Sequence, residues 1–349
     1  MNKISKEQKM GRALVGFISI LTIFWVSQFM PAYAETKWPD RFIFAAPSAG
    51  TTNYMIAVGM GEVIKKYTPV KAVQVLPLGG PTVWGPMMKK GEIDFAIQAG
   101  ANVVDLFLGT GDFTKMGPIP VRTVIGGHSF PLMFHTTPDK NIKTLSDLKN
   151  KVVYTSMMGQ PMFIQIASAQ LASVGLTLKD LKSSSTMPSI AQATTDLIEG
   201  RVDAFIYPVV PTSVHQINQA RGECVFINLT EKQADYVQEN NPGYFKSIIP
   251  EGKFANKKEM RYAISFQTCL HSRADLDPGV AYEIVKTLLD HHNEWVQTHP
   301  QAKDWGLDKN PVSIATEPYH IGAIKYYKEK GLWINEVQQH NDKLLKQLK

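Results

Sequence analysis

The chain has 349 residues, 44% of them hydrophobic and 19% charged. That balance supplies real cores and excludes an extensively disordered chain, and the length predicts about two domains. The net charge is +6, but four basic residues and one acid fall within the first 34, so the remainder carries only +3, too little to argue for nucleic acid.

Lys3, Lys6, Lys9 and Arg12 form a basic start opposed only by Glu7, Ala13 to Val26 is apolar, and Pro31 precedes Ala32-Tyr33-Ala34. This three-part layout predicts a signal peptide, residues 1–34, cleaved after Ala34, and an exported, periplasmic protein. The apolar stretch is short for a hydrocarbon core of ~30 Å. Cys224 and Cys269 are the only cysteines. Export would permit one disulfide between them, and their apolar settings equally suit buried thiols.

After the leader, short apolar runs alternate with helical patterns, which predicts α/β architecture with a largely parallel sheet. Phe42 to Ala46 reads as a strand, followed by a helix over Thr52–Tyr67 whose Ile56, Met60, Val63, Ile64 and Tyr67 keep a helical period. Ser48 or Thr51 can cap it. AVQVLPLGG is a second strand and loop, and a short helix over Thr82–Lys90 stops at Gly91. The segment KGEIDFAIQA then enters the sheet at Phe95–Ile97.

Two apolar runs, Val121–Gly126 and Leu132–Thr136, suggest a long extended crossing. Val152–Thr155 starts a fresh strand, and a helix over Pro161–Val174 ends at Gly175. A near-echo of the first phrase follows: EGRVDAFIYP, with Pro188 in the first turn of the helix before it, Gly200 as its stop, and a strand at Ala204–Ile206. ECVFINL is apolar, NNPGYFKSIIPEGKF reads as a Gly/Pro loop, and MRYAISFQTCL as another strand. A long helix capped by Asp277 is predicted from Pro278 to about Val296, and Pro318–Leu348 is helical with a break near Gly331. The pattern suits two α/β lobes, one built from both ends of the chain (35–133 and 261–349), the other from its middle (134–260).

Ligands of open α/β sheets bind beyond the carboxyl ends of the strands, where first-turn N–H groups of helices favour anions. The loops there supply Ser48, Thr51 and Thr52, then Gly80, Pro81 and Thr82, then Gln98, and in the middle lobe Ser156, Gln160 and Tyr207. Plain helix capping accounts for any one of these alone; several, in two lobes facing one cleft, point to a carboxylate or amino-acid ligand. No Arg lies in these loops to clamp a carboxylate. Trp84, Met55, Met157, Met158, Met162 and Phe163 border them and suit either helix core or an apolar pocket for an aromatic or aliphatic acid.

Signals for an enzyme are thin. There is no Gly-x-Ser-x-Gly, phosphate loop or His-Glu-x-x-His, and His291, His292 and His299 lack partners at metal spacing. Asp94 and Asp203, the aspartates of the two echoed phrases, precede their strands at the end opposite the cleft and read as structural. No cofactor is expected.

The phrases SAGTTNYMIAVGMGEVIKKY, LPLGGPTVWGPMMKKGEIDFAI, TLSDLKNKVVYTSMMG and DLIEGRVDAFIYPVVP together resemble the TAXI-type solute receptors of tripartite ATP-independent periplasmic (TRAP) transporters, over about residues 40–300. The resemblance implies a periplasmic binding protein type II fold, two α/β lobes with a hinge and a central ligand cleft. It also implies delivery of a small ligand to TRAP membrane permease subunits driven by an ion gradient. A periplasmic sensor that docks on a membrane signalling receptor is the alternative with the same fold. By position, the family's first-loop contacts fall on Ser48, Thr51, Thr52 and Tyr54, and its second-loop contacts on Gly80, Pro81 and Thr82. The stretch Met157-Met158-Gly159-Gln160-Pro161-Met162 stands where the family shows a Gly-Ser-Gly-Thr-like loop, which trades hydroxyl donors for thioethers and favours a less polar acid.

Overall fold

In the computed structural model, which describes residues 37–249, 261–309, 311–312 and 315–347, the chain lays down one βαβαβ unit twice. The leader with its cut after Ala34 lies outside the described residues. Among the described residues no helix is long and apolar enough to cross a membrane.

The first unit is β1 (Arg41–Ala46), α1 (Thr52–Tyr67), β2 (Ala72–Pro77), α2 (Pro81–Lys89) and β3 (Phe95–Ala99). Its middle strand, β1, pairs in parallel with β2 on one side and β3 on the other. Then come α3 (Gly100–Leu108) and a 16-residue strand, β4 (Val121–Thr136). The second unit repeats the first: β5 (Val152–Met157), α4 (Met162–Ala172), β6 (Ser183–Met187), α5 (Ile190–Ile198) and β7 (Ala204–Pro208), with β5 in parallel between β6 and β7. The rest is α6 (Pro211–Arg221), β8 (Val225–Phe226), α7 (Glu231–Asn240), β9 (Tyr244–Ile249), β10 (Arg261–Arg273), α8 (Pro278–Asp290), α9 (His292–Trp295), α10 (Ile321–Glu329) and α11 (Asn335–Lys346).

All ten strands form one sheet in the order β2-β1-β3-β10-β4-β7-β5-β6, with β8 beside β4 and β9 beside β10. The sheet is therefore mixed, not largely parallel: β10 is antiparallel to β3 and β4, and β4 is antiparallel to β7. The two apolar runs at 121–126 and 132–136 are one strand. Pro131 is tolerated inside it because it sits where β4 changes partner, after pairing with β10 up to Ser129 and before pairing with β7 from Leu132. The supposed Gly/Pro loop contains β9, which pairs antiparallel with β10 from Tyr244–Phe266 to Ile249–Arg261.

Other boundaries moved for local reasons. Ser189, not Pro188, opens α5, its hydroxyl accepting the Gln192 N–H at 3.1 Å. The long helix after Asp277 stops at Asp290 because His291 leaves helical geometry (φ −109°, ψ 25°). Cys224 and Cys269 are both buried, and no disulfide joins them. Gly91 and Gly200, the stops of the echoed helices, have φ of +76° and +79°, a region that glycine enters without strain.

The echoed aspartates do the same work in each unit. Asp94 donates its N–H to the Ile43 carbonyl and accepts the Ile43 N–H on its carboxylate, both at 2.9 Å. Asp203 does this with Val152, at 2.7 and 2.9 Å. Each aspartate thus sets the register of its strand against the middle strand of its unit. Their electrostatics differ. Burial raises the Asp94 pKa above the ordinary carboxylate value despite the Ile43 N–H and Arg273. Burial opposes ionisation of Asp203 too, but the Val152 N–H and the Lys140 ammonium, 3.0 Å away, together hold its pKa below that value.

Three hydrophobic clusters fill the space around the sheet: one drawn from residues between Ala99 and Phe266, one from both chain ends between Phe42 and Val337, and a smaller one between Ala45 and Val121.

Asp203→Asn should cost about 1–2 kcal/mol at pH 7, because an amide cannot pair with Lys140 and the charged bond to Val152 is lost. Asp94→Asn should cost less, since it removes a carboxylate that burial disfavours. The Asp203 contribution is present above the unfolded carboxylate pKa and is lost as pH falls through the depressed folded value. Urea unfolding at pH 7 and pH 3.5 should show the wild-type to Asp203→Asn gap closing in acid.

Candidate ligand-binding site

A cavity of about 490 Å³ lies at the carboxyl ends of β1, β3 and β7, where β4 and β10 pass between the two units. Its borders are mostly the beginnings of helices: Thr51–Asn53 at α1, Ala99 before α3, Met162 and Phe163 at α4, Ile190 and Ala191 at α5, and Pro211–Ser213 at α6. First-turn N–H groups lack intrahelical partners and carry the positive end of the helix dipole. Among the described residues that line the cavity, none is Asp, Glu, Lys or Arg.

The two titratable groups on its wall are neutral at pH 7. Burial pushes the Tyr207 phenol up to about 12 and lowers the His299 imidazole below 6.5. His299 caps the turn that begins at Pro300, its Nδ1 accepting the Gln301 N–H at 3.3 Å. The ring proton of the neutral form therefore sits on Nε2, 3.4 Å from the Thr52 hydroxyl.

Aromatic rings supply the apolar wall. Phe163 and Tyr207 stack in parallel, 5.4 Å between centroids and 4° between planes. Phe130 and Phe266, from the two crossing strands, meet at 6.2 Å.

Beyond β3 and before α4 runs an amide network whose orientation follows from one backbone donor. The Met162 N–H donates to Asn102 Oδ1 at 3.0 Å, so the other end of that amide is Nδ2, which donates to Gln160 Oε1 at 2.6 Å. Gln98 must then face the same oxygen with Nε2, at 3.0 Å. Gln98 Oε1 is left buried with no partner among the described residues, as are Thr268 Oγ1, Asn53 Oδ1 and Gln301 Oε1, all on lining residues. From behind, the Gln98 carbonyl takes a bond from His271 Nε2 at 3.1 Å. His271 Nδ1 lies 2.6 Å from the fully buried Glu317. Burial opposes ionisation of Glu317, but His271, Thr123 and Thr316 outweigh it and hold its pKa low.

Of the residues the sequence suggested, Thr51, Thr52, Gln98, Gln160 and Tyr207 line this cavity. Ser48, Tyr54, Gly80, Pro81, Thr82 and Ser156 do not. Ser48 is exposed, its carbonyl spent on the Thr51 N–H. Tyr54 packs against the core beneath α1. Gly80 and Thr82 meet the loop of the second unit: Thr82 donates to the Gly159 carbonyl at 3.3 Å, and a Cβ on Gly80 would stand 1.8 Å from that oxygen. Thr82 and Ser156 line a second, more open space of about 430 Å³ with Met157 and Met158. Met162 and Phe163 join the main cavity, Trp84 is core, and Met55 is exposed and borders neither space.

Sequence reasoning missed Phe130, Phe266, Thr268, His299, Gln301 and the α6 start. Phe130, Phe266 and Thr268 come from the crossing strands, whose mutual pairing is non-local. His299 did carry a signal, a His before Pro at a helix start, but was considered only as a metal ligand. Among the described residues no cluster of three or more His, Cys, Asp or Glu could hold a metal.

A mixed sheet carrying two βαβαβ units, with a cavity between helix N-termini, defines an α/β protein of the periplasmic binding protein type II fold. The chain belongs to the NMT1-like family, whose profile it matches over residues 44–331. No curated protein sequence matches it. Among solved structures, PhnD1 from Prochlorococcus marinus in complex with methylphosphonate aligns with a TM-score of 0.54 at 11% identity, over 77% of this chain and 92% of that one. XAC2383 from Xanthomonas citri bound to chloride aligns at 0.51 and 10%, over 86% and 100%. The periplasmic aliphatic sulphonate binding protein SsuA from Escherichia coli aligns at 0.48 and 13%, over 87% and 79%. At such identities the likeness is one of fold.

Gly80→Ala should destabilise the fold by about 1–3 kcal/mol: its φ of −128° is open to any residue, but its Cβ collides with the Gly159 carbonyl, so the two loops must part. Urea unfolding should show a lowered midpoint relative to the wild type.

Proposed function

We propose that this protein is an extracytoplasmic solute-binding receptor that captures a small organic acid in the 490 Å³ cavity. One observation carries the reading: five helix N-termini border a space free of charged side chains. Those positive ends favour an anion and disfavour a cation. The Thr52 hydroxyl and the His299 Nε2–H add donors at one corner, where the Thr51 hydroxyl is spent on the Ser48 carbonyl at 2.8 Å. Family membership and fold agree with a binding role, and the anions named for two fold neighbours, methylphosphonate and chloride, have the same sign.

In this reading the lobes are 35–133 with 261–349, and 134–260. They hinge where β4 and β10 exchange partners, near Phe130–Pro131 and Phe266–Gln267. The contacts of Gly80, Thr82 and Gln98 with Gly159 and Gln160 are then those of a closed cleft. Export after Ala34 and delivery to a TRAP permease rest on the leader and on the TAXI-like phrases.

A thermal-shift panel tests this. Organic acids should raise Tm by RT ln(1 + [L]/Kd) over the unfolding entropy, and Thr52→Ala should weaken the best of them by about 1 kcal/mol. If cations such as putrescine shift Tm while no carboxylate does, the reading fails. His299 adds a pH signature. Burial keeps its pKa low in the empty site, and an anion beside Nε2 favours the imidazolium. Binding should therefore take up a proton and tighten as pH falls from 7 to 5.5, and His299→Gln should flatten that slope.

A further inference from the structure

Resting on the receptor reading above, we infer that the ligand is an aromatic monocarboxylic acid whose ring carries a hydroxyl or N–H donor, not an amino acid or a dicarboxylate. Three features of the cavity meet in this class. The first is the aromatic wall: Phe130, Phe163, Tyr207 and Phe266 come from four separate elements to one space. Ring faces and edges at such positions favour a planar apolar body.

The second is the want of any acid. An α-ammonium in this cavity would be desolvated beside helix N-termini with no Asp or Glu to pair it. Tyr207 and His299 are both neutral and give no countercharge.

The third is Gln98. Its amide is oriented by the chain from the Met162 N–H through Asn102 and Gln160, so the free atom can only be the acceptor Oε1. Gln98 is 2% exposed. A buried acceptor without a partner costs stability that a ligand donor recovers. The same atom repels a second carboxylate, which disfavours dicarboxylates. Thr268, fully buried and paired in register with Ala99 next to Gln98, brings a second unpartnered oxygen to the cavity wall. The carboxylate belongs at the α1 corner, with the Thr52 hydroxyl and His299, and the ring donor at Gln98 and Thr268.

Calorimetric titration of the mature protein with benzoate, its three monohydroxylated isomers, L-phenylalanine, L-glutamate and succinate reads this out. The best hydroxybenzoate should bind at least tenfold tighter than benzoate, and the other three more weakly than benzoate. In Thr268→Val, and separately in Gln98→Leu, the preference for hydroxybenzoate over benzoate should shrink to within threefold. Thr268→Val keeps the shape of the side chain, so the test stands if Gln98→Leu fails to fold. Benzoate equal to every hydroxybenzoate, a preference untouched by both variants, or phenylalanine, glutamate or succinate as the tightest ligand overturns the inference and leaves the receptor reading in place. Absence of binding by every acid overturns both.

Discussion

Two long strands, β4 and β10, that pair with each other between the two units are the constraint on which the rest depends. β10 pairs with β3 of the first unit and with β9, β4 pairs with β7 of the second unit and with β8, and the two pair with each other. The units are fixed so that β3 and β7 send their carboxyl ends toward the same space. The helices that follow those strands must then begin there, since a parallel strand hands the chain to its helix at the carboxyl end. The convergence of helix N-termini follows from topology, and the cavity's preference for negative charge follows from the convergence.

The side chains refine that preference by what they omit. Every lining residue is neutral at pH 7, so the field in the cavity comes from backbone dipoles and oriented amides. Such a field selects by sign without the strong clamp of a guanidinium. Shape and hydrogen-bond matching must then separate one anion from another. The Asn102–Gln160–Gln98 chain joins the two units, and Gln98 and Gln160 line the cavity.

Local features were legible in the sequence. The bounds of α1, Thr52–Tyr67, followed from its apolar period and cap, and the glycines after the echoed helices marked their ends. The echo itself became a pair of identical backbone clasps, Asp94 on Ile43 and Asp203 on Val152. Strand ends led to Gln98 and Tyr207. What sequence could not show was pairing across distance. β9 hid behind Gly and Pro, because only its partner β10 makes it a strand. Thr268 and Phe266 looked like ordinary strand residues, and nothing local says that they stand beside residues near position 98. Gly80 and Thr82 were placed on the right loop, but that loop spends its contacts on Gly159 and not on the cavity.

The central claim is that a neutral cavity ringed by helix N-termini holds an organic acid. The most direct measurement is mass spectrometry of whatever leaves the protein when it is denatured after gentle purification from cells. A receptor of this kind should release a monocarboxylic acid without an amine. Release of a cationic solute, retained stoichiometrically and rebinding after removal, would contradict it.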